Sequence, residues 1–279
     1  EFPLHLAQVN PDDLIAGIEV SLSCVLRAAA RLEKRKVDNV ILIHGDARFL
    51  LREAFQDGSI DMVFMNFPCP WPKKRHMKRR VTNPAFVDTV ASVLKIGGHF
   101  EVLTDEEWYA QEIARSMSFH DSLQVDEVAL NPSRRITTKY ERKWLEMGKN
   151  THLVRIRKTR NYSVDRLLRE EDGQMHLKSE TGKVDMDHLR SLSGKGASDI
   201  GCHWVFKDSY TDGQGTCLLE AITSDSGFEQ KFYFRIIDQK EGFIIKIDET
   251  SMPFRTPALK GSMYDLLSRL RGEELVTKQ

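Results

Sequence analysis

The sequence lacks the features that mark several large classes of protein. Its 279 residues include only four cysteines, and none of them forms a CxxC pair. This usage indicates neither a disulfide scaffold nor a zinc site, and it is typical of a reduced cytoplasmic protein. No apolar run approaches the roughly 18 residues that span a bilayer, and no segment has the pattern of a signal peptide. Internal repeats and low-complexity tracts are also absent. We therefore expect a globular protein that uses neither a metal nor a membrane.

The chain has no net charge, but its charges are unevenly distributed. It carries 41 basic and 41 acidic residues, and residues 1–160 hold 25 of the basic and 21 of the acidic ones. Six basic residues and no acidic one lie within residues 73–80. A local excess of this kind favours a defined nucleic-acid contact over a protein that is cationic everywhere.

Hydrophobic periodicity predicts two domains. Up to residue 160, short apolar segments alternate with amphipathic ones, which is typical of an α/β domain with a mostly parallel, doubly wound sheet. The predicted strands are 14–20, 39–47, 60–67, 99–104 and 151–158, and the helices are 22–36, 84–94 and 106–116, with Gly97 and Gly98 stopping the second helix. Residues 161–279 predict a small α+β domain, with antiparallel strands at 203–206, 216–223, 228–237 and 242–247 and a helix at 259–270.

The segment from Asn66 to Arg80 is the most informative part of the chain. Three prolines within five positions fix the backbone of a shaped turn, which runs directly into the six basic residues. The turn follows a predicted buried strand, and ligands bind at strand ends in open α/β sheets. The combination suggests a site that handles a base beside a phosphate backbone, although a solvated basic loop is the alternative.

Two acidic residues at strand ends indicate a nucleoside-binding crevice. Glu19 ends the first predicted strand, where a carboxylate can accept hydrogen bonds from both hydroxyls of a ribose. Asp46 ends the next strand, where its carboxylate could meet an adenine amino group. Acids in such positions also cap the following helix, so each residue alone leaves both interpretations open.

Six motifs in the first domain resemble those of the bacterial tRNA (guanine-N7-)-methyltransferases, which are class I S-adenosylmethionine enzymes. The resemblance covers about residues 1–160, and the FPxPWxKxRHxKRR pattern within it is specific to the family. The matching text is GIEV at 17–20, GDA at 45–47, GSIDMVFMNFPCPWPKKRHMKRR at 58–80, LKIGG at 94–98, TDEEWY at 104–109 and TTKYE at 137–141.

The resemblance implies a Rossmann-like methyltransferase fold, with S-adenosylmethionine as cofactor and tRNA as partner. The implied reaction is methyl transfer to N7 of a guanosine in the tRNA variable loop. The implied cofactor residues are Glu19, Asp46 and Cys69, and Cys69 also stands at the catalytic position. The implied substrate residues are Lys73, Asp105, Thr138, Lys139, Tyr140 and Glu141. The residues implied to face RNA are Lys74, Arg75, His76, Lys78, Arg79 and Arg80.

The chain departs from the family pattern in two places. Glu1 to Ala7 aligns just after the family's glycine-rich loop, so we expect the first strand and that loop to lie outside this sequence. Cys69 stands where the family usually has Asp. Guanine N7 carries an unprotonated lone pair, so methylation needs no general base. A carboxylate would stabilise the positive charge that develops on the purine and could also hold the guanine N1–H and exocyclic amine, and a neutral thiol does neither well. We expect turn carbonyls, Asp105 and Glu141 to carry the recognition instead.

Two other functions stay open on the sequence alone. The NFPCPW text loosely resembles the NPPW-type loop of nucleic-acid amino-methyltransferases. A non-catalytic tRNA-binding subunit would account for the missing loop and for Cys69. The role of the second domain, and the choice between monomer and homodimer, also stay open.

Overall fold

The computed structural model describes residues 1–168 and 176–273. The chain divides into two compact units, Glu1–Asp165 and Arg166–Gln279. The sequence-based division after residue 160 thus falls just before the point at which the two units separate.

The first unit alternates strands and helices. Its strands are β1 (Ile15–Glu19), β2 (Val40–His44), β3 (Ile60–Asn66), β4 (Leu94–Thr104), β5 (Leu123–Leu130) and β6 (His152–Lys158). Its helices are α1 (Phe2–Val9), α2 (Leu22–Arg35), α3 (Ala47–Ala54), α4 (Pro84–Val93), α5 (Glu107–Ser118) and α6 (Lys139–Glu146), and a 3₁₀ helix covers Lys74–Arg79. The sequence patterns had not predicted α3, β5 or α6.

The strands of this unit form two sheets. β1 and β2 pair in parallel, and a second sheet has the order β3-β4-β6-β5. β3 and β4 are parallel, whereas β6 runs antiparallel to both β4 and β5. The prediction of a doubly wound α/β sheet is confirmed, with antiparallel pairing confined to the last strands. Because parallel strands end at the same edge, the carboxyl ends of β1 and β2 lie together, as do those of β3 and β4.

Helix α4 ends at Val93, one residue before its predicted end, but not for the predicted reason. The side chain of Asn83 caps its first turn by accepting a backbone N–H at 2.9 Å. The predicted stop at Gly97 and Gly98 is wrong, because the helix ends at Val93 and β4 follows at once. Gly98 instead allows two strands to approach closely, since a Cβ atom there would lie 2.8 Å from the carbonyl oxygen of Asp61 on β3.

The core of the first unit lies between the four-stranded sheet and helices α4 and α5. Phe86 and Val90 of α4, Phe100 of β4, Ile113 of α5 and Ile156 of β6 are almost completely buried and belong to one apolar cluster. The apolar stripe of each helix covers one face of the sheet, so burial of these side chains holds the strand ends in place.

Helix α1 joins the two sheets of this unit. It packs against β1 and β2, and the ring of Phe2 meets that of Phe64 on β3 edge to face, with 5.5 Å between centroids. Aromatic pairs with this geometry are favourable beyond their buried area. Helix α1 therefore contacts strands of both sheets.

The second unit is an antiparallel sheet with helices on one face, as the α+β prediction expected. Its strands are β7 (His176–Ser179), β8 (Gly196–Asp199), β9 (Cys202–Thr211), β10 (Thr216–Asp225), β11 (Phe228–Asp238) and β12 (Phe243–Ile247), in the order β7-β12-β11-β10-β9-β8. Helices α7 (Met186–Ser191) and α8 (Pro257–Arg271) contribute Leu189, Leu259 and Leu266 to its core. None of the helices in residues 1–168 and 176–273 has the length and apolar character that a membrane-spanning helix requires.

Candidate functional site

The acidic residues at the ends of β1 and β2 differ in their surroundings. Glu19 is exposed, and its Oε1 atom accepts the backbone N–H of Ser21 at 2.8 Å. Asp46 caps helix α3 by accepting the backbone N–H of Arg48 at 2.9 Å, and its Oδ2 atom also lies 2.5 Å from Nη2 of Arg48. Asp46 therefore caps helix α3 and forms an ion pair with Arg48. Capping was one of the two interpretations that the sequence left open for this residue.

The proline-rich turn after β3 has a strained backbone. Phe67 and Trp71 have φ angles of 53° and 44°, which residues other than glycine rarely adopt. The backbone N–H of Phe67 donates to the carbonyl oxygen of Leu103 at 2.7 Å, so the turn is fastened to the end of β4. Strain of this kind persists only where the surroundings impose it, and it concentrates at functional sites.

The buried side chain of Arg80 holds the turn through hydrogen bonds. It is only 7% exposed. Its Nε and Nη2 atoms donate to the carbonyl oxygen of Trp71 at 3.1 and 2.9 Å, and its Nη1 atom donates to Glu112 of α5 at 2.8 Å. The guanidinium also lies 5.2 Å from the ring centroid of Trp108. The prediction that Arg80 faces RNA does not fit this position, because its donors are committed inside the protein.

The other basic residues form a 3₁₀ helix beside the turn. Lys74, Arg75 and Lys78 are exposed, and Lys73 is exposed immediately before them. The half-buried indole of Trp71 lies 5.5 Å from the His76 ring and 5.2 Å from the Arg79 guanidinium. Trp71 therefore anchors this helix instead of presenting a free stacking surface.

His76 is surrounded by positive charge. Desolvation lowers its pKa, and the charges of Arg75, Arg79 and Lys73 lower it further. Protonation of this imidazole is thus disfavoured, and a neutral ring can accept as well as donate a hydrogen bond.

The TTKYE segment begins helix α6. The hydroxyl of Thr138 accepts the backbone N–H of Glu141 at 3.0 Å, and the Glu141 carboxylate accepts the backbone N–H of Thr138 at 3.1 Å, which is a capping box. Glu141 is 1% exposed, so it does not present its carboxylate to solvent. Lys139 and Tyr140 are exposed, and the Tyr140 ring lies 6.4 Å from the ring of Phe67 in the turn.

Two further predicted residues lie at the end of β4 and in the turn. Asp105 is half-buried directly after β4, at the same sheet edge as the turn that follows β3. Cys69 is an exposed free thiol in the middle of the turn. Among the described residues, no group of His, Cys, Asp and Glu side chains forms a candidate metal site.

The geometry thus places a strained, basic turn and α6 at one edge of an α/β sheet. Residues 1–154 match the family model described as "Putative methyltransferase". The chain is 40% identical to the tRNA (guanine-N(7)-)-methyltransferase of Thermotoga maritima over 98% of its own length and 87% of that protein. It belongs to the tRNA (guanine-N(7)-)-methyltransferase family. The Aquifex aeolicus protein of the same name is 31% identical over 97% of this chain and 90% of its own length.

This family member contains site residues that the sequence did not reveal. Arg48 pairs with Asp46, Glu112 pairs with Arg80, and Arg134 binds Glu141. A Thr-x-x-Glu pattern was visible at residues 138–141 and could have revealed the capping box. Glu112, by contrast, lies 32 residues from Arg80, so no local pattern could indicate that pair.

Proposed function

We propose that this protein methylates N7 of a guanosine in the variable loop of tRNA, in the cytoplasm. It is a methyltransferase of the family identified above, and S-adenosylmethionine is its methyl donor. The observation that carries the choice of tRNA guanine is the 40% identity, over 98% of the chain, to the enzyme of that name. The specific residue roles below are proposals that rest on the geometry of the site.

The ends of β1 and β2 suit the adenosine half of the cofactor. One oxygen of the Glu19 carboxylate accepts a backbone N–H, which leaves acceptor capacity for the two ribose hydroxyls. Asp46 would receive the adenine amino group at the expense of part of its contact with Arg48, a half-exposed pair whose rearrangement costs little. We place Cys69 where cofactor and guanine meet. When bound, S-adenosylmethionine supplies a methyl group on a positively charged sulfur.

The residues of the turn would orient guanine and stabilise its charge. N7 has a free lone pair, so the site needs alignment of the reactants more than a base. Proline has no N–H, and so Pro68 and Pro70 leave the turn rich in carbonyl acceptors. These carbonyls and Asp105 would hold the guanine edge and offset the positive charge that develops on the ring.

The exposed cations would bind the tRNA backbone. Lys73, Lys74, Arg75 and Lys78 project from one short segment that contains no acidic residue. Lysine and arginine bind phosphates through charge, and this contact positions a nucleic acid without reading its sequence. The exposed Lys139 and Tyr140 lie beside the turn and would complete the substrate surface.

A methylation assay with product mapping tests the proposal. The protein is incubated with radiolabelled S-adenosylmethionine and a tRNA transcript, and the product is cleaved by borohydride and aniline. We expect one cut, at a variable-loop guanosine, and its loss when that guanosine is replaced. Label that resists cleavage would indicate an amino-methyltransferase. tRNA binding without transfer would indicate a non-catalytic subunit.

Position 69 is expected to tolerate both an acid and an alanine. Cys69→Asp should keep or raise kcat, because a carboxylate stabilises the cationic purine. Cys69→Ala should cost far less than the roughly 100-fold that loss of a charge-stabilising group costs, because the thiol is free and exposed. Single-turnover rates at saturating cofactor measure both effects. A loss above about 100-fold in Cys69→Ala would show that the thiol itself participates.

A further inference from the structure

The buried carboxylate of Glu141 has one charged partner among the bonds described for it. Nη1 of Arg134 lies 3.1 Å from its Oε2 atom. The side chains of Arg134 and Glu141 are 9% and 2% exposed, so water screens this pair little. Removal of Arg134 would leave the charge of this buried carboxylate without a partner, which is strongly destabilising.

The same guanidinium nitrogen also reaches the other part of the site. Nη1 of Arg134 donates to Oδ1 of Asn66 at 3.1 Å. Asn66 is the last residue of β3 and immediately precedes Phe67, the first strained residue of the turn. Arg134 therefore connects the first turn of α6 to the start of the proline-rich turn, two segments that are distant in sequence.

The position of Arg134 is itself fixed. Its guanidinium lies 5.5 Å from the ring centroid of Phe2 on α1, the residue that also packs on Phe64 of β3. A planar guanidinium can lie against a ring while it bonds a carboxylate and an amide oxygen at its edge, and a lysine ammonium cannot.

We propose that Arg134 is a positioning residue for methyl transfer, which locks the segment Thr138–Glu141 against the turn that begins after Asn66. The inference rests on the proposed function of that site. Arg134 acts through Glu141 and Asn66, and no contact with tRNA is required of it. Its loss should loosen the relative placement of Tyr140 and the turn, which would lower the rate more than it weakens binding.

The test compares Arg134→Met, Arg134→Lys and the double variant Arg134→Met/Glu141→Gln. We expect Arg134→Met to lower kcat by about 10- to 100-fold, with KM for S-adenosylmethionine little changed. Arg134→Lys should recover only part of the loss. Glu141→Gln should partly restore the activity of Arg134→Met, because the amide removes the unpaired charge. The control is Arg190→Met, an exposed arginine paired with Asp187 in the second unit, which should leave kcat unchanged.

Amide hydrogen exchange supplies a readout that does not depend on activity. Arg134→Met should accelerate exchange in residues 131–146 and 66–72, with exchange in α4 and α5 unchanged. The inference would be overturned by a wild-type kcat in folded Arg134→Met, or by faster amide exchange throughout the first unit. Neither result would contradict methyl transfer by the wild type. If the wild type transfers no methyl group, local acceleration still supports the link, and the failure belongs to the proposed function.

Discussion

Replacement of Arg80 by methionine is expected to lower kcat by about 100-fold or more, because a loosened turn misplaces the guanine. Arg80 supplies the donors to the carbonyl oxygen of Trp71 and the ion pair with Glu112. Methionine fills a similar volume but leaves the carbonyl and the carboxylate without these donors. Breaking a buried pair on one side typically costs about 3–5 kcal/mol. The half-exposed Glu112 places the cost for this pair towards the lower end.

The strained backbone explains why the turn should respond so strongly. Phe67 and Trp71 hold unfavourable φ angles only while their surroundings impose them. Without Arg80, the turn can relax toward ordinary φ angles, and His76 and Arg79 would move with the indole of Trp71. Methyl-transfer rates under single-turnover conditions, together with the melting temperature, measure the effect on catalysis and on stability.

Two comparison variants separate the positioning role from simple loss of charge. Arg80→Lys keeps the charge but lacks the planar fork, so its activity should fall between those of the wild type and Arg80→Met. Arg75→Met removes an equal charge from the exposed face of the same segment, and it should raise KM for tRNA while the melting temperature stays the same. A wild-type kcat in Arg80→Met would refute the proposed role of the guanidinium.

The contrast between Arg80 and Arg75 shows where sequence-based prediction reaches its limit. Both belong to one basic run, and the family resemblance implied that both face RNA. Which of them turns inward depends on Glu112 and Trp108, which lie on a helix about 30 residues further along the chain. Burial of a single arginine is decided by tertiary contacts, so a charge pattern could not identify it.

The elements with strong local patterns were predicted, and those with ambiguous patterns were not. β2 and β3 are apolar runs, and their predicted ranges agree with the structure to within a few residues. β5 carries Asp126 and Glu127 in its middle, and five of its eight residues are exposed. Within residues 1–168 and 176–273 it pairs on one side only, with β6. Its composition therefore resembles that of a loop.

Helix α6 was missed for a different reason. The text TTKYE was interpreted through its resemblance to a substrate-binding motif, although Thr138 and Glu141 also have the spacing of a capping box. In the structure these two residues are buried and the intervening Lys139 and Tyr140 are exposed. The motif therefore combines a structural function at its ends with a proposed substrate surface in its middle.

Neutralisation of the exposed cations is expected to weaken tRNA binding more than any other surface change. Lys74, Arg75 and Lys78 project into solvent from one short helix, where each can neutralise a phosphate and release a counterion. The triple variant Lys74→Gln/Arg75→Gln/Lys78→Gln should bind tRNA about 10²-fold less tightly at low salt, and the slope of log K against log salt should become shallower by roughly 2–3. Filter binding across a range of salt concentrations measures both quantities.

The chain offers a control with the same change in net charge. Lys34, Arg35 and Lys36 are exposed at the C-terminal end of α2. If the basic 3₁₀ helix binds RNA directly, glutamine at these three positions should alter the salt slope by less than about 1, since no phosphate contact is lost there. Equal changes in the two triple variants would mean that tRNA responds to overall charge, and the assignment of the RNA surface to residues 74–78 would then be wrong. Because Arg80, which is not substituted, still donates to the carbonyl oxygen of Trp71, kcat at saturating tRNA should survive in the first variant, which separates binding from alignment.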